Sequence, residues 1–228
     1  MKSGSVNPAL PRLLQLASPS LPVGAYCYSQ ALEWGVEAAI VRDQETTQQW
    51  IAALLAESIG RYEAPLVARA QQSWADGDIS EVARLNSDFL ASRETSELRA
   101  ETVQMGYSLR RLLHELDDFP LPAAFDALPE AAYPTAWALA AAVWRIPAAD
   151  SVTAYLWSWC ENQVMAALKA VPLGQAAGQR VLLALGARIP AIACQALILR
   201  EEDWSNLAPG LALASSRHET QYSRLFRS

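Results

Sequence analysis

Residues 150–170 read DSVTAYLWSWCENQVMAALKA, and apolar side chains occupy most of the circumference when this stretch is wound as a helix. Residues 130–145, EAAYPTAWALAAAVWR, behave in the same way. Helices of this kind are buried by other helices, so the two segments predict the centre of an all-α fold.

Working outward, the helical period continues in both directions and strand alternation is nearly absent. Asn7 and Pro8 suit the start of a first helix, and SPSLPVGAYCYSQ (18–30) then breaks the pattern before SQALEWGVEAAI (29–40) resumes it, with Ser29 as a cap. QETTQQWIAALLAESIG (44–60) places Trp50, Ile51, Leu54, Leu55, Ser58 and Ile59 on one stripe and is expected to end at Gly60. EAPLVARAQQSWA (63–75) forms another helix, and Asp78 caps the next through Val82, Leu85 and Phe89. A long helix follows from about Glu94 to Leu116. Residues 176–188 and 190–202 add two more beyond the break VPLGQ (171–175). The sum is one all-α domain of roughly ten helices over 1–204, too many for a simple four-helix bundle. A sub-boundary is possible near 117–130, where three prolines interrupt the pattern, and 205–228 reads as a linker and tail.

Composition agrees with a packed globule. Hydrophobic residues make up 52% of the 228 and charged residues 18%, which excludes wholesale disorder. A net charge of −6 argues against generic nucleic-acid binding. Three widely spaced cysteines give no disulfide framework and fit a reducing compartment. The uncharged run Leu13–Leu32 is broken by Pro19, Pro22 and Gly24, so no membrane span is expected there. The first residues lack a signal peptide's apolar segment, and a cytoplasmic location is expected.

The search for chemistry returns little. There is no phosphate-binding or dinucleotide-binding glycine pattern and no Cys-x-x-Cys or His-x-x-x-His pair. His114 sits among leucines and reads as partly buried and structural, while His218 lies in a polar tail where partner contact and plain exposure weigh equally. Cys27 reads as a small buried thiol, and Cys160 and Cys194 as core. No catalytic, cofactor-binding or metal-ligating residue is assigned, and an enzyme is disfavoured.

Surfaces are more informative. The tail SSRHETQYSRLFRS (215–228) has three arginines against one glutamate, so a net charge of −6 leaves about −8 on the rest of the chain. Such a tail can dock on its own body, on a symmetry mate or on an acidic partner. Arg217, Arg224 and Arg227 suit carboxylates, and Tyr222, Leu225 and Phe226 suit the buried anchors of an interface, with His218 and Glu219 among them. Arg93, Glu94, Glu97 and Arg99 alternate in sign at spacings that allow pairing along one helix, either as a solvated face or as a surface for another chain. Lys169 ends a very apolar helix, where the helix dipole alone explains it and a partner's carboxylate or phosphate is the alternative. Pro22, Gly24, Tyr26 and Tyr28 form one structural loop, and Pro172 and Gly174 another.

Four segments, LLQLASPSLPVGAYCYSQALEWGVE (13–37), SRETSELR (92–99), LKAVPLGQ (168–175) and ASSRHETQYSRLFRS (214–228), closely resemble the UreF family of urease accessory proteins. The chain departs from the expected pattern at Cys27, where serine would stand, and at Ala31, where glycine would stand. The resemblance implies an all-helical, non-catalytic homodimer that matures nickel urease. It implies binding to the accessory protein UreD (also called UreH), recruitment and gating of the GTPase UreG on apo-urease, and a C-terminal tail concerned with UreD. It implies no cofactor of its own, nickel being handled by the complex. The alternative is an all-α enzyme or cofactor binder of oxygenase-like type with His114 or Cys160 turned into a pocket.

Overall fold

Burial explains the architecture. The computed structural model describes residues 7–116 and 119–228, which are helical with connecting loops, and no strand occurs among them. Helix α1 spans Leu10–Leu16, α2 Leu32–Glu37 and α3 Gln44–Leu54, while α4 spans Ala64–Asp76, α5 Ile79–Ala91 and α6 Ser96–Glu115. The short α7 is Ala123–Asp126, followed by α8 Tyr133–Val143 and α9 Ala148–Ala170. Last come α10 Gln175–Gly186, α11 Ile189–Ile198 and α12 Pro209–His218.

The two segments singled out for their all-round apolarity are central. In α8 Trp137 is fully buried, and its indole N–H donates to Ser151 Oγ of α9 at 3.2 Å. Helix α4 packs across α8, where Trp74 donates to the Thr135 carbonyl at 3.2 Å and meets Phe125 edge-on. Phe119, Phe125 and Leu128 enter this same core, so the proline-rich stretch around them is part of the domain. Residues 117–118, at the start of the possible sub-boundary, lie outside the described residues.

Two expectations are corrected. Gly60 does not end a helix: α3 passes through a π-helical stretch, Leu55–Glu63, straight into α4. A Cβ at Gly60 would lie 2.5 Å from Ile192 Cγ2, so this glycine admits α11 rather than stopping the chain. The extra residue per turn also turns Ser58, Ile59 and Glu63 inward. Nor is 205–218 a plain linker. Pro209 opens α12, whose Leu211, Ala214, Ser215 and His218 are buried. The stripe was obscured because two of these four residues are polar.

Cysteine and histidine placements also differ from expectation. Cys194 is exposed, because α11 packs through Ile189, Ala193 and Ala196 and turns it outward. His114 is at the surface, with Nε2 2.9 Å from Asp126 Oδ1. Cys160 is buried as expected, and burial pushes its thiol up to about 12. Residues 175–198, the α10–α11 hairpin, are apolar and long enough by composition to cross a membrane. Here they fold back on α9 and α3 instead, with Leu183 and Ile198 exposed.

Candidate partner-docking surface

The tail is ordered against its own chain. Glu33, in the first turn of α2, accepts the backbone N–H groups of Leu225 at 2.7 Å and Phe226 at 3.0 Å. Glu97 of α6 receives Arg224 Nη1, and its other oxygen receives His218 Nδ1 at 2.6 Å. His218 is fully buried, with Nε2 3.4 Å from Glu33 Oε2. Glu219 caps α6 by accepting from Ser96 Oγ and the Glu97 N–H, and these bonds lower its carboxyl below the usual range. Farther on, the Arg227 N–H donates to the Cys27 carbonyl at 2.9 Å, and Ser29 donates from both N and Oγ to the Ser228 carbonyl. His218 and Phe226 are therefore intramolecular anchors, not exposed contacts.

Sequence logic explains this docking. The body is acidic, and two of its carboxylates, Glu33 and Glu97, converge where tail N–H groups, an imidazole and a guanidinium arrive. The helical reading of SRETSELR had allowed pairing along the helix. Each charged residue instead reaches a different element. Arg93 Nη1 pairs with buried Glu63 at 2.9 Å, Glu94 accepts from Asn206, Glu97 holds the tail, and Arg99 pairs with Glu130.

What faces outward is the other half of the tail. Tyr222 is fully exposed, Leu225 is 71% exposed and Tyr26 of the proline–glycine loop is 65% exposed. Lys169 joins them, its ammonium 5.8 Å from the Tyr26 ring centroid and 5.5 Å from that of Phe226. Three segments far apart in sequence thus meet on one face. Gly24 turns the loop at φ 78°, where a side chain would be strained. Gly174 has ordinary dihedrals and open space around it, so nothing in the structure requires glycine there. Pro172 lies in the short connection from α9 to α10. Beside Arg227, a groove of about 500 Å³ runs between the 19–28 loop and Gln104 and Ser108 of α6. Arg217 and Arg227 are exposed and take part in no ion pair among the described residues.

Ala31, unexpected from sequence, sits at φ 62° at the N-cap of α2. A left-handed residue there is the physical reason a glycine would be favoured.

Behind the tail lies an interior cavity of about 60 Å³, room for a few waters, whose wall mixes apolar side chains such as Phe89 and Met105 with the polar Gln30, Glu63, Arg93, Glu101, Tyr155 and Asn162. Sequence reasoning missed it, since these polar residues are scattered over five elements with no shared motif. Glu101 accepts from Gln30 Nε2 at 2.8 Å and from Ser228 Oγ at 2.6 Å. Burial raises its carboxyl to about 7. The Tyr155 hydroxyl donates to Glu63 at 2.7 Å, and burial drives that phenol far above its ordinary value. Neither His114 nor Cys160 lines this cavity, so the oxygenase-like alternative loses the residues it relied on. Among the described residues, no three His, Cys, Asp or Glu side chains are placed to hold a metal ion.

Comparison with known proteins gives one answer. The UreF family model matches residues 41–186. A urease accessory protein UreF of Azoarcus sp. (strain BH72) is 64% identical over 98% of this chain and 100% of its own. That of Dechloromonas aromatica (strain RCB) is 59% identical over 96% of this chain and 97% of its own. A third, from Methylobacillus flagellatus, is 47% identical over 98% of this chain and all of its own. The chain belongs to the UreF family of urease accessory proteins.

Proposed function

We propose that this chain is a scaffold in the maturation of nickel urease, working in the cytoplasm as a homodimer and performing no catalysis itself. It binds UreD (UreH) through its C-terminal face and, with that partner, recruits and gates the GTPase UreG on apo-urease. Nickel is cargo of the assembly, and the chain needs no cofactor. Besides family membership, one observation carries the reading. The ordered face places Tyr222 and Leu225 outward beside exposed Arg217 and Arg227, on a platform whose ordering cost is met before a partner arrives. Aromatic and arginine side chains of this kind are the usual anchors of a protein interface.

Deleting residues 217–228 is a poor test, because it also removes His218 and Phe226 from the interior and leaves Glu33 and Glu97 without their donors. The double variant Tyr222→Ala/Leu225→Ser touches only the outward side. It should weaken capture of UreD at least ten-fold and reduce urease activation in cells, with an unchanged melting temperature. Full UreD capture by this variant would sink the assignment.

A further inference from the structure

Ser228 and Glu101 are joined in a buried chain of hydrogen bonds that no partner assignment uses. Trp159 Nε1 donates to Gln30 Oε1 at 2.8 Å, Gln30 Nε2 donates to Glu101 Oε1, and Ser228 Oγ donates to Glu101 Oε2. Gln30 is itself held at φ 49° between these two bonds. Residues 224–228 therefore meet the body through two buried carboxylates, Glu33 in α2 and Glu101 at the cavity wall. Backbone bonds to Cys27 and Ser29, the Glu97–Arg224 pair, the Arg227–Tyr28 side-chain contact and the buried Phe226 ring beside Lys169 hold them otherwise.

We propose that residues 224–228 are a releasable strap seated on Glu101 at the wall of the interior cavity, and that Glu101 is the group that sets its release. A carboxylate at this position has no cation bonded to it, only a hydroxyl and an amide. The charged and titratable groups around it are Glu63 from the π-helical stretch, Arg93 from the α5–α6 connection, Tyr133 of α8 and Tyr155 of α9 across the cavity, and Tyr28 from the loop with Arg227 against it. Glu97 of α6 and Glu33 of α2 hold the same strap, with His218 and Arg224 against Glu97. Burial, and then the Glu63 charge, oppose ionisation of Glu101, while Ser228, Gln30 and Arg93 favour it only in part. With the strap lifted, water reaches Glu101 and ionisation becomes easy. Protonated Glu101 thus favours the closed strap. The contribution is fully present below the free carboxyl value of 4.5 and is lost as pH rises through about 7. A shift of that size sets a ceiling of roughly 300-fold on the change in the closed-to-open ratio.

Amide hydrogen exchange on the purified full chain tests this without any partner, so its outcome is separate from that of the UreD assignment. Protection of the 219–228 peptide, corrected for intrinsic exchange, should fall about ten-fold or more between pH 5 and pH 7.5. Peptides from α8 and α9 should stay protected throughout. Glu101→Gln, neutral at every pH and nearly the same shape, should keep the peptide protected and flatten the profile. A flat wild-type profile, an unchanged slope in Glu101→Gln, or a loss shared by α8 and α9 would each overturn the proposal.

Discussion

Arg93→Ala should cost the fold about 3–5 kcal/mol, the range for removing one partner of a buried ion pair. Both side chains are almost fully enclosed, Arg93 at 8% exposure and Glu63 at 5%. The guanidinium does three things at once. It pairs with Glu63, donates to Ser92 Oγ at 3.0 Å and covers the Phe89 ring, 4.2 Å from its centroid. Without it, Glu63 keeps only the Tyr155 hydroxyl as a donor in a desolvated site. Waters in the adjoining cavity can approach Glu63 and place the loss nearer the lower figure. For a chain of this size the melting temperature should drop by roughly 10 °C. Replacing both partners, Glu63→Leu with Arg93→Met, should recover most of the loss, since an apolar pair leaves no orphaned charge. Thermal unfolding of the three proteins decides the matter. A drop under about 1 kcal/mol for Arg93→Ala would mean that the pair is solvated after all.

The contrast with Arg99 shows what sequence can and cannot say. Both arginines lie in SRETSELR, and their spacing suggested one charged face. Arg99 pairs at the surface with Glu130, where an ion pair contributes little. Arg93 sits just before α6, where the chain is still turning, and is carried inward to a carboxylate 30 residues upstream. Periodicity predicts helices because the repeat is local, and it placed α8 and α9 at the centre correctly. It cannot predict which elements meet. The Glu97–His218 contact spans 121 residues, Lys169 meets the Tyr26 loop across 143, and the cavity joins Glu63 to Tyr155 across 92. Helix α12 was hidden for a related reason. Its inward Ser215 bonds Thr95 Oγ1 and its inward His218 meets two glutamates, so a polar stripe was satisfied by tertiary partners. The tail's charge left three docking targets open, and the structure assigns part of the tail to one of them, its own body.

Gly106→Ala should be comparably severe, about 3 kcal/mol or more. A Cβ there would lie 1.9 Å from the Ala131 carbonyl oxygen, an impossible distance, and about 3 Å from two further backbone carbons. Whether the cost is large depends on whether 130–132 can move away, and it is tied on every side. Asn86 donates to the Glu130 carbonyl at 2.8 Å and accepts from the Ala132 N–H at 2.9 Å. The Tyr133 N–H donates to Thr102 Oγ1 at 3.0 Å, and Arg110 holds the carbonyls of Phe125 and Leu128. Relief must therefore come from displacing α6, sacrificing several of these bonds at about 1 kcal/mol each. Because α6 also carries Glu97 and Glu101, that displacement should loosen the tail as well as the core. The variant should show lower protection in both the 219–228 peptide and α8, and, on the proposed docking of UreD at this face, weaker UreD capture. Gly174→Ala, with open space around the new methyl group, should leave all three measurements unchanged. Equal behaviour of the two variants would show that α6 is free to shift and that its contact with α8 does not fix the docking face.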